Sequence, residues 1–229
     1  MNMSEEIILD DIEIEETPQT ILQKSDYTGK DGMEESFLSL SEEALEIARP
    51  RAIYKITFIE EKKENGITVG GVEFKSRVLA VNLEDARRIF PFVATCGREL
   101  NDWAHQFDDM MKNYMADDIK EIFLNFAREQ LKEHISQNFN PGEMASMNPG
   151  SLEDWPIGEQ QKLFQLLGDV HEKIGVELTD SNLMEPNKSV SGIWFPTEKD
   201  YQNCRLCSRE DCPNREAKFD EELYQKRYS

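Results

Sequence analysis

The stretch Arg98–Ser136 constrains this chain more than any other part of it. Leu100, Trp103, Phe107, Met111, Tyr114, Met115, Ile119, Ile122, Phe123, Phe126, Leu131 and Ile135 recur at three- and four-residue intervals, which puts them on one face of a helix. A break is expected near Ala116. So long an apolar stripe needs a broad surface to lie on, and the residues before it supply a sheet. Ile53, Lys55, Thr57 and Ile59 alternate with Tyr54, Ile56 and Phe58, and Asn65-Gly66 marks a turn. Ile67–Phe74 and Val78–Val81 continue with β-branched residues, and Phe90–Cys96 runs apolar up to Gly97; these read as a hairpin and further strands.

Shorter elements complete the pattern. Ser41 caps an expected short helix that stops before Pro50, Ile157–Ile174 is helical, and Ser189–Phe195 is a strand ended by Pro196. Asn140-Pro141-Gly142 and Asn148-Pro149-Gly150 are turns. Strands and helices intermix without βαβ regularity, so the fold class is α+β: a twisted, mostly antiparallel sheet with long packed helices.

A chain of 229 residues with 38% hydrophobic content can bury one substantial core. The expected organisation is an acidic leader over 1–40, an α+β domain over 41–200 and a cysteine-bearing segment over 201–229. The net charge of -20 is not spread evenly, because in the leader eleven Asp or Glu face two Lys. Such charge repels phosphate backbones and argues against nucleic acid; it suits solubility or docking onto a basic protein surface. The leader reads as a solvated tail, although Ile7-Ile8-Leu9 could pair as a short edge strand. No stretch has the apolar length of a membrane helix and the N-terminus is acidic where a secretory signal is basic, so a cytoplasmic location is expected.

Cys204, Cys207 and Cys212 form a CxxCxxxxC run with Pro213 after the last thiol. Two thiols two residues apart can ligate one centre from a single loop, in zinc and in iron–sulfur sites alike. The following proline and the nearby Arg205, Arg209 and Arg215 favour an iron–sulfur cluster, of 4Fe-4S type, over structural zinc or free thiols. Cys96 stands at a strand end before a helix N-terminus, where it is either the fourth ligand or a small buried hydrophobe. His105, His134 and His171 read as surface residues. No hydrolytic triad, P-loop or paired-carboxylate site is present.

The elements Leu178-Thr179-Asp180-Ser181, Met184-Glu185-Pro186 and Ser189-Val190-Ser191-Gly192, with Pro149-Gly150 upstream, resemble the reactivation domain of cobalamin-dependent methionine synthase. The resemblance is clear from Asn148 to Phe195. It implies a domain that lies against a corrin, binds S-adenosylmethionine and supports reductive remethylation of cob(II)alamin. By it, Asn148, Pro149, Gly150 and Ser151, with Ser189, Val190, Ser191 and Gly192, face the corrin or a nucleotide-like ligand, and Tyr201 matches a tyrosine of the family. The partner implied is a corrinoid protein or a cobalamin-dependent methyltransferase. One departure argues against S-adenosylmethionine: Ser151 replaces the family's tyrosine and Ser146 or a neighbour its arginine, so charge-assisted pairing to the cofactor carboxylate is lost there. The expected activity is electron delivery from the cluster to cob(II)alamin on the partner.

Overall fold

The computed structural model describes residues 6–30, 32–152, 154–197, 205 and 217–228. Its centre is β6, Arg88–Thr95, which is buried along nearly its whole length. One edge of β6 pairs antiparallel first with β2, Arg51–Lys55, and then with β3, Thr57–Lys63; the other edge pairs with β10, Ser189–Pro196. Pro91 falls between the β2-paired and β3-paired stretches, where that edge of the strand has no partner, one of the few places a sheet tolerates a residue without an amide proton. Outside these lie β1, Glu6–Leu9, on β2; the hairpin β4, Gly66–Val69, and β5, Val72–Lys75, on β3; and β7, Met144–Met147, on β10. Every pairing is antiparallel, as the sequence pattern implied.

Strand side chains alternate between two covered faces. Ala52, Tyr54, Phe90, Phe92, Ala94 and Trp194 meet the helices α2, Met33–Ile47, α4, Arg98–Ala104, and α5, Met110–Phe139. Ile53, Ile89, Val93, Ile193 and Phe195 face the other way, toward α3, Arg77–Asn82, α6, Gln160–Leu167, and α7, Val170–Ile174. Phe92 and Trp194 stack with ring centroids 4.4 Å apart, joining β6 to β10 beneath α5.

Several expectations are corrected. The long helix breaks at His105–Asp109 rather than near Ala116, because Asp109 caps the amide of Lys112 at 2.8 Å and starts α5 afresh. The first turns of its stripe are not core: Met111 and Tyr114 are exposed, and the helix buries its face only from Met115 onward. Val78–Val81 is helical, since Ser76 caps the amide of Leu79 and Asp154 accepts from both Ser76 and the Val78 amide. Ser41 is not a cap but a buried mid-helix residue, its hydroxyl donating to the Phe37 carbonyl one turn back at 2.8 Å.

The leader is also part of the body. The boundary expected at 40/41 falls inside α2. From Glu6 onward the leader adds β1 to the sheet and the helix α1, Pro18–Gln23, to the core, where Ile21, Leu22, Tyr27 and Phe37 are buried. Asp10, Asp11, Glu13 and Glu15 are exposed beside a cleft between residues 8–15 and α5 whose lining includes Ile8, Ile12 and Phe126. Among the described residues no helix is long and apolar enough to cross a membrane.

Candidate functional site

The turn after β7 and the start of β10 come together in the structure. Gly150 adopts φ +82°, its amide donates to the Trp155 carbonyl at 2.7 Å, and the Ser151 amide donates to the Asn148 carbonyl at 3.2 Å. This closes a tight loop over the buried Trp155 ring, with Pro149 buried and Gly150 exposed at its tip. The side-chain amide of Asn148 donates to the Ser191 carbonyl at 2.7 Å and fastens the loop to β10.

The small residues of β10 are explained by their neighbours. A Cβ on Gly192 would stand 2.5 Å from the Asn148 side-chain nitrogen and 2.7 Å from the Met147 carbonyl oxygen, so glycine is required by the loop that crosses the strand here. The Ser191 hydroxyl donates to Gln160 Oε1 at 2.8 Å, and Gln160 Nε2 donates to the Asn182 carbonyl at 2.8 Å. Ser189 donates to the Thr95 hydroxyl at 2.8 Å, while Val190 packs into the α5 side. Asn182, in the left-handed region at φ +62°, turns the chain so that the Thr179 hydroxyl accepts the Leu183 amide. The separate sequence elements thus form one polar seam, running from the Asn148 loop through Ser191 and Gln160 to the Asn182 turn.

Gln160 and Asn182 were not singled out from sequence, nor was the network that holds the start of β10. Lys120, 3% exposed on α5, lies 3.1 Å from Asp117 and donates to Asn187 Oδ1 at 2.9 Å. Lys188 reaches Asp117 at 3.0 Å and Glu121 at 2.9 Å. Burial favours the neutral form of Asp117, but hydrogen bonds from Lys188 and Lys120 outweigh it and hold the carboxyl below its usual range. Burial likewise works against the Lys188 charge, and its bonds to Glu121 and Asp117 raise its pKa nonetheless. A lysine within an otherwise apolar helical stripe was the available signal.

Cys96 stands at the strand end before α4, as expected. Its surroundings are those of the small buried hydrophobe rather than of an open ligand position: it is fully buried in the α5-side core, and burial pushes its thiol up to about 12. Its amide donates to the Lys188 carbonyl at 3.0 Å, linking it to the β10 network. Tyr201, Cys204, Cys207 and Cys212 lie outside the described residues. Among the described residues no group of three or more His, Cys, Asp or Glu side chains is placed to hold a metal. His105 and His171 are exposed, whereas His134 is half-buried, edge-on to the Tyr54 ring at 5.9 Å.

Comparison with known proteins supports the resemblance read from these elements. The model of the family described as vitamin B12 dependent methionine synthase, activation domain, matches residues 151–218. Those residues include the Gln160 and Asn182 parts of the seam, all of β10 and the cysteine run. Among solved structures, the crystal structure of the MetH reactivation domain bound to AdoHcy is similar at a TM-score of 0.60 and 16% identity, over 89% of this chain and 82% of that one. The chain therefore has the α+β, mostly antiparallel fold of that reactivation domain. No curated protein matches the chain.

Proposed function

We propose that this chain, built on the methionine synthase reactivation fold, returns inactive cobalamin on a partner protein to its active state. The observation that carries the reading is the coincidence of two likenesses: the fold extends over most of the chain, and the family match falls on the segment that contains the Gln160, Asn182 and β10 parts of the seam. The partner is a corrinoid protein or a cobalamin-dependent methyltransferase, and the face it meets is the loop Asn148–Ser151 with the start of β10.

The reducing power comes, in this reading, from a 4Fe-4S cluster held by Cys204, Cys207 and Cys212. Iron–sulfur potentials reach down to about -700 mV, low enough to convert cob(II)alamin to cob(I)alamin by one electron. The rest of the chain binds and orients the partner. Cys96 contributes core packing, because a thiol whose pKa burial has pushed so far up is protonated and shielded.

Protein purified without oxygen should hold iron and acid-labile sulfide, lost on Cys204→Ser, and when reduced it should consume the cob(II)alamin signal of a loaded corrinoid protein. Zinc without iron, or an unchanged cob(II)alamin spectrum, rejects electron delivery.

A second reading is favoured by the AdoHcy bound to the similar structure: reactivation that uses S-adenosylmethionine as methyl donor, with the cysteine site structural. Against it, the Asn148 side chain is engaged within the fold by Ser191 and Ser146, and Ser151 brings no aromatic ring. Titration calorimetry decides, since no heat at millimolar S-adenosylmethionine removes this second reading.

A further inference from the structure

We propose that the cleft between the leader and α5 is a docking groove for a basic segment of a partner protein, one that carries apolar side chains between its lysines or arginines. The groove has a volume of about 590 Å³. Asp10, Asp11, Glu13 and Glu15 of the leader and Glu133 of α5 line it, and no lysine or arginine does. The four leader acids are exposed, and none of them meets a hydrogen-bond or ion-pair partner among the described residues. A cleft lined by one sign of charge gathers the opposite sign from solution.

The fold, rather than the acids, fixes this arrangement. β1 is paired with β2 before the segment, and the capped helix α1 follows it. Between them Ile12 and Ile14 pack against the core, while Asp11, Glu13 and Glu15 alternate outward. Like charges are thus held side by side, and a cationic occupant relieves their repulsion. Among the described residues no group of three or more His, Cys, Asp or Glu is placed to hold a metal, so the charge suits cations spread along a chain better than a single ion. Ile8, which is 37% exposed, Ile12 and Phe126 supply apolar surface on which lysine or arginine stems and neighbouring apolar side chains can lie. Behind the α5 wall Tyr54 sits edge-on to His134, a lining residue, and its buried hydroxyl has no hydrogen-bond partner among the described residues. The net charge of -20 disfavours nucleic acid, anionic lipid and a second copy of this chain as occupants. Strands run in the order β1, β2, β6, β10, β7, so the groove beside β1 and the Asn148 loop after β7 are separate surfaces.

The full chain is titrated into a fluorescently labelled peptide of alternating lysine and leucine, read by anisotropy, beside a peptide of alternating lysine and serine. The lysine–leucine peptide should bind about tenfold more tightly, because it also covers the apolar lining. Asp11→Lys with Glu13→Lys should weaken that binding about tenfold or more, through lost attraction and new repulsion. Glu42→Lys with Glu64→Lys makes the same change of net charge at exposed acids outside the groove, and should leave affinity near the parental value. Both pairs replace exposed side chains and should melt like the parent. Equal losses from the two pairs, or equal affinity for the two peptides, would reduce the effect to the general attraction of an acidic chain and overturn the groove. Displacement of the peptide by an equal concentration of spermine would make this a polyamine site and overturn the protein partner, and a parent chain that binds neither peptide overturns the proposal outright.

Discussion

At Gly192 a single methyl group meets obstacles of two kinds. The Asn148 side chain could swing aside, but the Met147 carbonyl belongs to the paired backbone of β7 and cannot. Gly192→Ala should therefore destabilise the fold by about 1–3 kcal/mol, the usual cost of overpacking a close-packed site, measured as a lower urea midpoint at unchanged slope. Cys96 gives a second test at this scale. With its pKa pushed up to about 12 and no exposed surface, it should resist alkylation at pH 8 in the native chain and react in urea; comparison with Cys96→Ala isolates it from the other three thiols. The sequence signalled that the residues around Gly192 are small and polar. It could not show that the space they leave is filled by Asn148 and Gln160, because those contacts join residues far apart in the chain.

Elements were legible where periodicity was long and illegible where a cap decided. The central strands follow from alternation and the buried face of α5 from its share of the stripe, whereas the start of α5 at Met110 depends on the Asp109 cap. Val78–Val81 has strand composition, yet a distant carboxylate, Asp154, binds the free amide at its start and makes it helical. β7 is a short run of Met, Ala, Ser and Met that becomes a strand only because β10 pairs with it. The leader strand β1 has its own device: Glu6 is held by Lys173 of α7 and faces Lys55 of β2. The Lys173 hydrogen bond, ahead of the other causes, lowers the Glu6 carboxyl from 4.5 to about 2. A depressed carboxylate stabilises the fold fully above its unfolded pKa and ceases to do so as pH falls through its folded one. Amide protection of β1 should therefore hold above about pH 4.5 and decline toward pH 2, while Lys173→Ala should flatten this dependence. A decline independent of Lys173 would refute the assignment.

Across the whole molecule, the leader is the largest gap between sequence and structure. Its acids mark it as a solvated tail, but Ile21, Leu22, Tyr27 and Phe37 recur among them and are buried beside α5. Charge dominates composition, whereas four large side chains dominate energy: each contributes about 1.5–3 kcal/mol on burial, against a typical total stability of about 5–15 kcal/mol. Deleting residues 1–40 should abolish cooperative thermal unfolding; a truncated chain that melts like the parent would restore the tail reading. The reactivation fold itself was legible through the resemblance carried by Pro149-Gly150, the Thr179 and Met184 elements and the Ser189–Gly192 strand. The cysteine chemistry is legible only as a motif.

The central claim is that this fold acts on cobalamin carried by another protein, and it is tested most directly by electron paramagnetic resonance of cob(II)alamin. A cob(II)alamin-loaded corrinoid protein is mixed without oxygen with the reduced chain, with and without S-adenosylmethionine. The account predicts loss of the cob(II)alamin signal without S-adenosylmethionine, and no loss with the Cys204→Ser variant. A signal that persists under both conditions, for parent and variant alike, would contradict it.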